Sequence, residues 1–391
     1  MAVVVGATLP AARLVVVHVA LVVPGGVDRT GQERTIPAIS WLVERLTQRH
    51  RVTIVALGHE PGFGRWMFRR ATVVNVPAEG HGAHRLARQL ARAVRASGAE
   101  GRPDVVHALW ASTSGLAAVL AARRHRVPSV VSVAGGELVA MRDIGYGGAL
   151  GRGGRIISGG ALRGATRVTV ATDWMAEHVR GAGYAVTDVV PLGVDLATFA
   201  APDGNGSPSR ARHLVHVGNL NAVKDQALLL RAFAEARRTV ADLTLEIVGV
   251  DTLDGRVQRL ATELEVTDSV TFAGLVANDV LAVRLRGAAL HVVTSRHDAG
   301  PVSVLEAAAC GVPTVGTAVG HVADLSRLAP PAAVAVTDRD PATLARTIVA
   351  LLGDDRRRAA LADAARRWAE THDADATAAR FQSIYEALVG R

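Results

Sequence analysis

This chain of 391 residues has one cysteine and few aromatic side chains. A single cysteine, Cys310, excludes an intrachain disulfide, and its position after three alanines favours buried packing over reactivity. A lone cysteine also fits a reducing compartment, so we expect a cytoplasmic protein. Aromatic residues make up only 4% of the chain. Because nucleic-acid binding relies on aromatic stacking beside basic residues, we expect no nucleic-acid partner.

Long apolar runs and metal-ligand spacings are also missing. No stretch reaches the roughly 18–20 apolar residues that a membrane span needs. The apolar stretch 14–23 has no basic leader and is predicted to be the first buried strand, not a signal peptide. The histidines show no H-E-x-x-H spacing, and the D-x-D strings at 338–340 and 373–375 stand at predicted helix starts. We therefore expect no metal site.

The composition is that of a globular protein with two domains of ordinary size. Hydrophobic residues make up 49% and charged residues 20% of the chain, and 391 residues exceed what one core usually holds. The formal charge of +8 and the pI near 10.8 favour anionic partners such as nucleotide sugars or phospholipid headgroups.

Strand and helix patterns alternate almost throughout, which predicts α/β domains with doubly wound parallel sheets. Strands are predicted at 14–22, 51–57, 71–76, 104–108, 128–133, 167–171, 187–190, 212–217, 243–248, 269–272 and 289–293. Helices are predicted at 35–49, 84–97, 113–125, 172–181, 225–239, 255–265, 279–287, 341–352, 355–370 and 373–388. The stretch 141–163 holds eight glycines and is predicted to be a mobile loop that leads into a helix. A linker rich in Pro and Gly at 191–208 separates the two halves.

The stretch 291–321 forms a strand–loop–helix–strand unit that could hold a nucleotide. Pro301 suits a first helical turn, so the free N–H groups of Val302 and Ser303 would point towards a diphosphate. Glu306 follows one turn later, and its carboxylate could accept two hydrogen bonds from a ribose diol.

A second motif places a lysine after a strand and a glycine turn. Gly218 and Asn219 follow the apolar strand, and Lys224 stands at the predicted helix start. The compact charge of a lysine suits a diphosphate. A solvated lysine at a helix start is the alternative.

These residues resemble the family 4 retaining glycosyltransferases of the GT-B fold. Asp298 and Glu306, with seven residues between them and Ala-Cys-Gly-Val-Pro after them, resemble the acidic-x7-acidic motif of that family. Lys224 is in register with the family's Gly-Arg-Leu-x-x-x-Lys segment. Asp298 stands where Glu is usual, and Asn219 stands where Arg is usual. An ordinary βαβ unit with a helix-capping acid is the alternative.

The resemblance implies two Rossmann-like domains that face each other across a cleft. It places an acceptor-side domain at 1–197 and a nucleotide-sugar domain at 198–372, with the final helix, 373–391, packed back onto the first domain. It implies a hexosyltransferase that moves a sugar from a nucleotide-diphosphate donor to an unknown glycan, lipid or small-molecule acceptor, with retention and without metal. The nucleotide sugar is then a co-substrate, and no other cofactor is expected.

The resemblance also assigns roles to the donor-side residues. Lys224 and the amides of Val302 and Ser303 would stabilise the diphosphate, Glu306 would bind ribose, and Asp298 would contact the transferred sugar. The main chain of 272–275, which ends in Leu275, would read the nucleobase, and Gly218, Asn219 and Gly300 would line the donor site.

On the other side of the cleft, two turns of the first domain are candidates. Gly25 and Gly26 form a Gly-Gly-Val turn that in the family faces the donor sugar and the acceptor. Relatives often carry His where Ala134 stands, and Glu137 is the nearest ionisable side chain. Glu137 would bind acceptor or sugar hydroxyls, and a structural role is the equal alternative.

Two other functions remain open from the sequence. A nucleotide-sugar 2-epimerase uses a similar two-domain fold. A non-catalytic sugar-nucleotide or partner-binding relative would fit the departures at Asn219 and Ala134.

One stretch indicates a membrane partner. Arg85, Arg88, Arg92 and Arg95 recur at helical spacing beside apolar residues. Such a helix could lie on the anionic inner face of a membrane, although a solvated basic face is the more common outcome.

Overall fold

The computed structural model describes residues 16–31, 34–78, 82–200 and 212–390. They form two α/β domains, each built on its own sheet. The strands of the first domain are β1 His18–Val23, β2 Arg51–Leu57, β3 Gly64–Phe68, β4 Ala71–Val76, β5 Val105–Leu109, β6 Ser129–Val133, β7 Arg167–Val170 and β8 Asp188–Val189. Its helices are α1 Pro37–Leu46, α2 Gly82–Ala96, α3 Thr113–His125, α4 Arg152–Gly164 and α5 Asp173–Gly181.

The second domain repeats the alternation after a short helix, α6 Leu196–Phe199. Its strands are β9 His213–Val217, β10 Thr244–Val248, β11 Val270–Gly274, β12 Leu290–Val293, β13 Thr314–Thr317 and β14 Ala333–Val336. Its helices are α7 Gln226–Arg237, α8 Arg256–Glu263, α9 Asn278–Arg286, α10 Val302–Ala309, α11 Gly320–Ser326, α12 Pro341–Leu352 and α13 Asp355–Thr371, and α14 Ala374–Val389 ends the chain.

The strand orders are those of doubly wound sheets. The first sheet has the order β3-β4-β2-β1-β5-β6-β7-β8, and the second has the order β11-β10-β9-β12-β13-β14. Every described pair of neighbours is parallel except β3 and β4. Helices cover both faces, so the central strands are continuous apolar runs, and β1 is buried at all six positions.

The predicted elements are present in the structure, which also contains four that the sequence patterns did not indicate. One of them is the four-residue helix α6, which lies within the predicted linker. Strand β3 lies at the sheet edge and is mostly exposed, so it has no apolar run. Helix α11 and strand β14 are short, with seven and four residues. The predicted strand at 14–22 begins at His18 in the structure, and residues 14 and 15 lie outside the described residues. The part of the predicted linker from residue 201 to residue 208 also lies outside them.

The D-x-D strings are helix caps, as predicted. The carboxylate of Asp340 accepts a hydrogen bond from Thr343 N at 2.8 Å at the start of α12. The carboxylate of Asp373 accepts one from Ala376 N at 2.7 Å at the start of α14. Both acids therefore satisfy helix amides that would otherwise lack a partner.

Helix α14 packs against the first domain. Phe381 and Tyr385 lie in one apolar cluster with β1, β5 and α1. Tyr385 Oη lies 2.6 Å from Nδ1 of His107 in β5, and Nε2 of the same ring lies 2.9 Å from the hydroxyl of Ser132. The end of the chain is thus joined to the first sheet by packing and by a buried polar chain.

The glycine-rich stretch 141–163 leads into a helix, as predicted, and the segment before α4 has a defined conformation. It forms a small hairpin, in which Met141 and Tyr146 exchange two backbone hydrogen bonds, and two 3-10 turns before α4 begins. A Cβ atom at Gly147 would lie 2.0 Å from the carbonyl oxygen of Val139, and one at Gly154 would lie 1.8 Å from that of Gly148. Several of these glycines therefore serve close backbone packing.

Direct contacts join the domains across the cleft. Thr172 Oγ1 donates to the carbonyl of Ala299 at 2.7 Å. The carboxylate of Asp324 accepts from the first two amides of α5, at 2.7 and 2.9 Å. Arg296 pairs with Asp143 of the hairpin at 2.5 Å. These contacts bring the glycine-rich segment and α5 up to the second domain.

Candidate functional site

The donor-side candidates meet at one edge of the second sheet. Strands β9, β12 and β13 are neighbours, and all three are parallel. The turns that follow them therefore lie side by side at the carboxyl edge, where open α/β sheets bind ligands. Lys224 follows β9, Asp298 follows β12, and α11 follows β13.

Lys224 and Asp298 form an ion pair, with Nζ and Oδ2 2.5 Å apart. Two features place the lysine. Asp225 caps α7 through Leu228 N, and Thr294 Oγ1 donates to the carbonyl of Lys224 at 2.9 Å. A Cβ at Gly218 would lie 3.3 Å from the lysine Cε, so the glycine leaves room for the side chain. The structure thus brings together two residues that lie 74 positions apart in the sequence.

Lys224 is also the only lysine in the chain, among 44 basic residues. All the other basic side chains apart from histidine are arginine. This signal was available in the sequence, and it sets the residue apart without reference to any motif.

Asn219 braces the same turn. Its Oδ1 accepts a hydrogen bond from Val250 N at 3.0 Å, and its carbonyl accepts one from Gln226 Nε2 at 3.1 Å. The side chain is exposed, and its oxygen ties the turn after β9 to the turn after β10. Asn219 therefore supplies no positive charge where the resemblance leads one to expect a guanidinium.

Glu306 lies in the first turns of α10 and is 5% exposed. Burial raises the pKa of its carboxyl to about 7, because desolvation disfavours the charged form. None of the described hydrogen bonds involves its carboxylate. A buried acid without a protein donor is an exception that needs an explanation, and a ligand that offers hydroxyl groups would provide one.

The turn between Asp298 and α10 is held in place by close packing. Pro301 precedes the helix, so Val302 and Ser303 begin it with amides that have no earlier carbonyl to bond. A Cβ at Gly300 would lie 2.8 Å from Cβ of Ala171. Gly300 thus faces the first domain, and its role in the structure is to allow that contact.

Leu275 follows β11 at the same carboxyl edge. It is 63% exposed, and Gly274 before it has φ +65°. Leu275 is thus open to solvent at the place where the resemblance expects the nucleobase.

The first glycine turn lies at the carboxyl end of β1. A Cβ at Gly26 would lie 2.6 Å from two side-chain atoms of Ile36, and φ at this residue is +79°. Gly25 lies against the ring of His59, with φ +151°. Local packing alone therefore requires glycine at this turn.

Glu137 has a structural role in the described residues. It is 6% exposed, and its carboxylate accepts hydrogen bonds from the amides of Ala111 at 2.9 Å, Ala134 at 3.2 Å and Gly135 at 2.8 Å. These bonds join the turn after β5 to the turn after β6. The carboxylate is therefore already occupied, which favours the structural alternative over the binding of substrate hydroxyls.

Three residues at the site were not singled out from the sequence. Tyr146 of the hairpin and His297, next to Asp298, have ring centroids 6.0 Å apart. His297 and His321 are buried, and neither ring forms a hydrogen bond within the described residues. Burial lowers the pKa of both rings to about 4, so both are neutral near pH 7. The Gly-Tyr-Gly-Gly sequence around Tyr146 is typical of a loop and carries no pattern that singles out the tyrosine.

The described residues contain neither a cluster of metal ligands nor a membrane-spanning helix. No group of three or more His, Cys, Asp or Glu residues there has the arrangement of a metal site. No helix in the same ranges is long and apolar enough to cross a lipid bilayer.

Known proteins match both domains. The family described as "Glycosyl transferase 4-like domain" matches residues 35–193, and the family described as "Glycosyl transferases group 1" matches residues 199–368. A D-inositol 3-phosphate glycosyltransferase of Kineococcus radiotolerans is 31% identical over 74% of this chain and 73% of its own length. The same enzyme of Salinispora arenicola is 34% identical over 51% of this chain, which spans about half of that relative's length.

Solved structures show the same fold. Sucrose-phosphate synthase from Thermosynechococcus elongatus superimposes with a TM-score of 0.79 at 18% identity, over 95% of this chain and 99% of that one. HepE from Anabaena, solved in complex with UDP and glucose, superimposes with a TM-score of 0.74 at 17% identity, over 95% and 100%. With the two family matches and the Kineococcus relative, these results establish that the chain belongs to the group 1, family 4 glycosyltransferases and has the GT-B fold.

Proposed function

We propose that this chain transfers a sugar from a nucleotide-diphosphate donor to a hydroxyl acceptor, with retention of anomeric configuration and without a metal ion. The observation that carries the proposal is the donor-side cluster: Lys224 paired with Asp298, next to the first turn of α10, with the unpartnered carboxylate of Glu306 behind it. One edge of one sheet thus offers a cation, a set of free amides and a free acid.

Each part of a nucleotide sugar has a complementary group in this cluster. The diphosphate accepts hydrogen bonds from the amides of Val302 and Ser303 and pairs with the ammonium of Lys224, because helix starts and cations both favour anions. The ribose hydroxyls donate to Glu306. Asp298, released from Lys224 by the diphosphate, is then free to accept from hydroxyls of the sugar.

The same arrangement stabilises the reaction. As the bond between the sugar and the diphosphate breaks, negative charge grows on the leaving phosphate next to Lys224 and the α10 amides. These groups are already oriented, so they stabilise the transition state more than the bound donor. The leaving phosphate accepts the proton of the acceptor hydroxyl, which is consistent with Ala134 at the place of the usual His and with the neutral ring of His297.

The single lysine gives a direct test of the donor site. An amine-acylating reagent has only one lysine side chain to modify, and peptide mass spectrometry resolves it from the terminal amine. Nucleoside diphosphate should protect Lys224 from acylation, whereas the free nucleoside should protect it much less. Equal acylation with and without saturating diphosphate would contradict the proposed role.

A donor panel separates transfer from the other functions. Nucleotide sugars, including UDP-glucose and GDP-mannose, are incubated with and without acceptors and with and without a chelator. We expect nucleoside diphosphate and an α-linked product from an α-linked donor, and no effect of the chelator. An epimerase would change the donor without acceptor, and a binding protein would release no nucleotide. Loss of transfer in chelator that Mn²⁺ or Mg²⁺ restores would contradict the metal-independent mechanism.

Contact with anionic lipid is a separate proposal that rests on α2. Arg85, Arg88 and Arg95 are exposed on this helix, whereas Ala93 and Ala96 are buried in the core of the first domain. Because the apolar side already packs inside the protein, we propose an electrostatic contact without insertion. Sedimentation with vesicles should show binding to anionic but not zwitterionic lipid, and replacing the three exposed arginines with glutamine should abolish it. Equal binding to both lipids would contradict it.

A further inference from the structure

A pocket of about 340 Å³ opens on the first-domain side of the cleft. Its wall includes Ser112 and Thr113 at the start of α3, Glu137 after β6, Tyr146 of the hairpin, and Ile157 and Ser158 of α4, with glycine backbone between them. This volume is at the small end of the roughly 300–1,000 Å³ range of small-molecule sites. None of the residues discussed above as donor-side candidates lines it.

Tyr146 is fixed in this wall by its surroundings. The hairpin holds its backbone through two hydrogen bonds with Met141, at 2.8 and 3.0 Å. Its ring lies over Gly136, where a Cβ would be 2.6 Å from Cε1, Cζ and Oη. The glycine at 136 thus makes room for the tyrosine, which forms part of the pocket wall.

Tyr146 also connects the pocket to the donor side. Its ring lies 6.0 Å from that of His297, which is adjacent to Asp298. Burial, with the charges of Asp298 and Glu137, raises the pKa of Tyr146 to about 12. The phenol therefore stays protonated near pH 7 and offers a neutral donor between the pocket and the acid assigned to the transferred sugar.

The pocket wall offers no positively charged side chain. None of the described residues that line it is Lys, Arg or His. Its one ionisable acid, Glu137, uses its carboxylate on three backbone amides. The remaining polar groups are hydroxyls, which both donate and accept hydrogen bonds.

A phosphate would be poorly accommodated in such a wall. The start of α3 supplies at most about half a positive charge, whereas a phosphate monoester carries about −1.5 to −2 near pH 7. None of the three arginines of α4, Arg152, Arg155 and Arg163, lines the pocket, and Arg155 donates to the carbonyl of Ala149 at 3.0 Å. No cation of the wall is therefore available to balance the remaining charge.

We propose that this pocket holds the acceptor and that the acceptor is an uncharged compound rich in hydroxyl groups, such as a sugar or polyol without phosphate at the bound end. The inference rests on the function proposed above and adds the class of acceptor. Tyr146 donates to a hydroxyl of this acceptor and orients it towards the sugar held by Asp298.

The first test compares matched acceptors with one donor that the enzyme cleaves. Each pair consists of a neutral compound and its phosphate ester, for example myo-inositol with inositol 3-phosphate, and glucose with glucose 6-phosphate. We expect kcat/KM to be at least tenfold higher for the neutral member of a pair that is used. Transfer to the phosphorylated members alone, or to neither member while the donor is still cleaved, would overturn this inference. If no donor is cleaved and Lys224 is not protected, the proposed function itself fails, so the two failures are distinguishable.

The second test adds a cation to the wall. Ile157→Lys should raise kcat/KM for phosphorylated acceptors at least tenfold relative to their neutral partners. Ile156→Lys is the matched control, because Ile156 is the next residue of α4, is 73% exposed and does not line the pocket. Equal specificity in the two variants would contradict the assignment of the pocket.

A third variant covers the case in which Ile157→Lys does not fold, as judged by circular dichroism. Tyr146→Phe removes only the hydroxyl and should raise KM for the acceptor about three- to tenfold, the size of one neutral hydrogen bond, with a smaller change in kcat. An unchanged acceptor KM would count against the role of Tyr146.

Discussion

The two sides of the cleft differ in where their charged groups are used. On the donor side, Lys224 pairs only with another site residue, and the carboxylate of Glu306 has no donor among the described residues. On the first-domain side, Glu137 is equally buried, but three backbone amides occupy its carboxylate. Two acids that are buried alike therefore differ in their partners: Glu137 stabilises two turns, whereas the carboxylate of Glu306 is left without a donor among the described residues.

This difference explains why one side is visible in the sequence and the other is not. A diphosphate and a ribose require a cation, free amides and an acid at fixed spacing, and residues of these types at that spacing form a recognisable sequence motif. The pocket at Tyr146 uses hydroxyl groups and glycine backbone, which occur in any loop.

The largest effect is expected at Lys224. Lys224→Ala should lower kcat on the order of 10²–10³-fold, as for other preorganised groups that stabilise developing charge. No side chain at Asn219 can replace it, because the oxygen of that residue is bonded to Val250 N. Single-turnover transfer at saturating donor measures the effect, and Lys224→Arg, which keeps the charge, is the control. A parent rate for the alanine variant would show that the lysine serves binding or packing only.

The next effect concerns stability and pH at Glu306. Its folded pKa of about 7 exceeds the ordinary value of 4.5, so the ionised form opposes folding. This penalty is absent below about pH 4.5, grows as the pH rises and is complete above about pH 7. Relative to the parent, the unfolding free energy of Glu306→Gln should therefore rise by on the order of 3 kcal/mol as the pH increases from about 4.5 to above about 7. Urea unfolding of both proteins at pH 4.5 and 8 measures this change. The same difference in unfolding free energy between variant and parent at both pH values would show that the pKa of the carboxyl is not perturbed.

The same substitution should weaken nucleotide binding. Losing a hydrogen bond to a charged group costs roughly 1.5–3 kcal/mol, so Glu306→Gln should raise the Kd of a nucleoside diphosphate about ten- to a hundredfold at pH 8. Below pH 7 the carboxyl of the free parent is largely protonated, so the ratio of the variant Kd to the parent Kd should decrease. Titration of the phosphate groups is common to both proteins and cancels in the ratio. A pH-independent ratio would contradict the assignment of ribose to this carboxylate.

The sequence predicted the α/β alternation, the helix caps at Asp340 and Asp373, and the presence of Lys224 and Asp298 in one site. These follow from local patterns and from a motif. It did not predict β3, because an exposed edge strand needs no apolar run, or the roles of Gly26 and Gly300, which depend on the distant partners Ile36 and Ala171. The pocket at Tyr146 likewise depends on contacts between segments.

The smallest effect concerns a contact that stabilises the first domain. Tyr385 Oη lies 2.6 Å from His107 Nδ1 in a fully buried contact that joins α14 to β5. Tyr385→Phe keeps the ring and leaves the histidine nitrogen without its partner, which should cost roughly 1–2 kcal/mol of unfolding free energy. Burial holds the pKa of His107 at about 3, so the ring stays neutral and cannot recover that energy by gaining a proton near pH 7. Ser383→Ala, on the exposed face of the same helix, is the control and should be nearly neutral. Nucleotide Kd and kcat should match those of the parent, because neither residue lies at the carboxyl edge of the second sheet. A change in Kd or kcat without a loss of stability would show that α14 acts on the site and does more than stabilise the first domain.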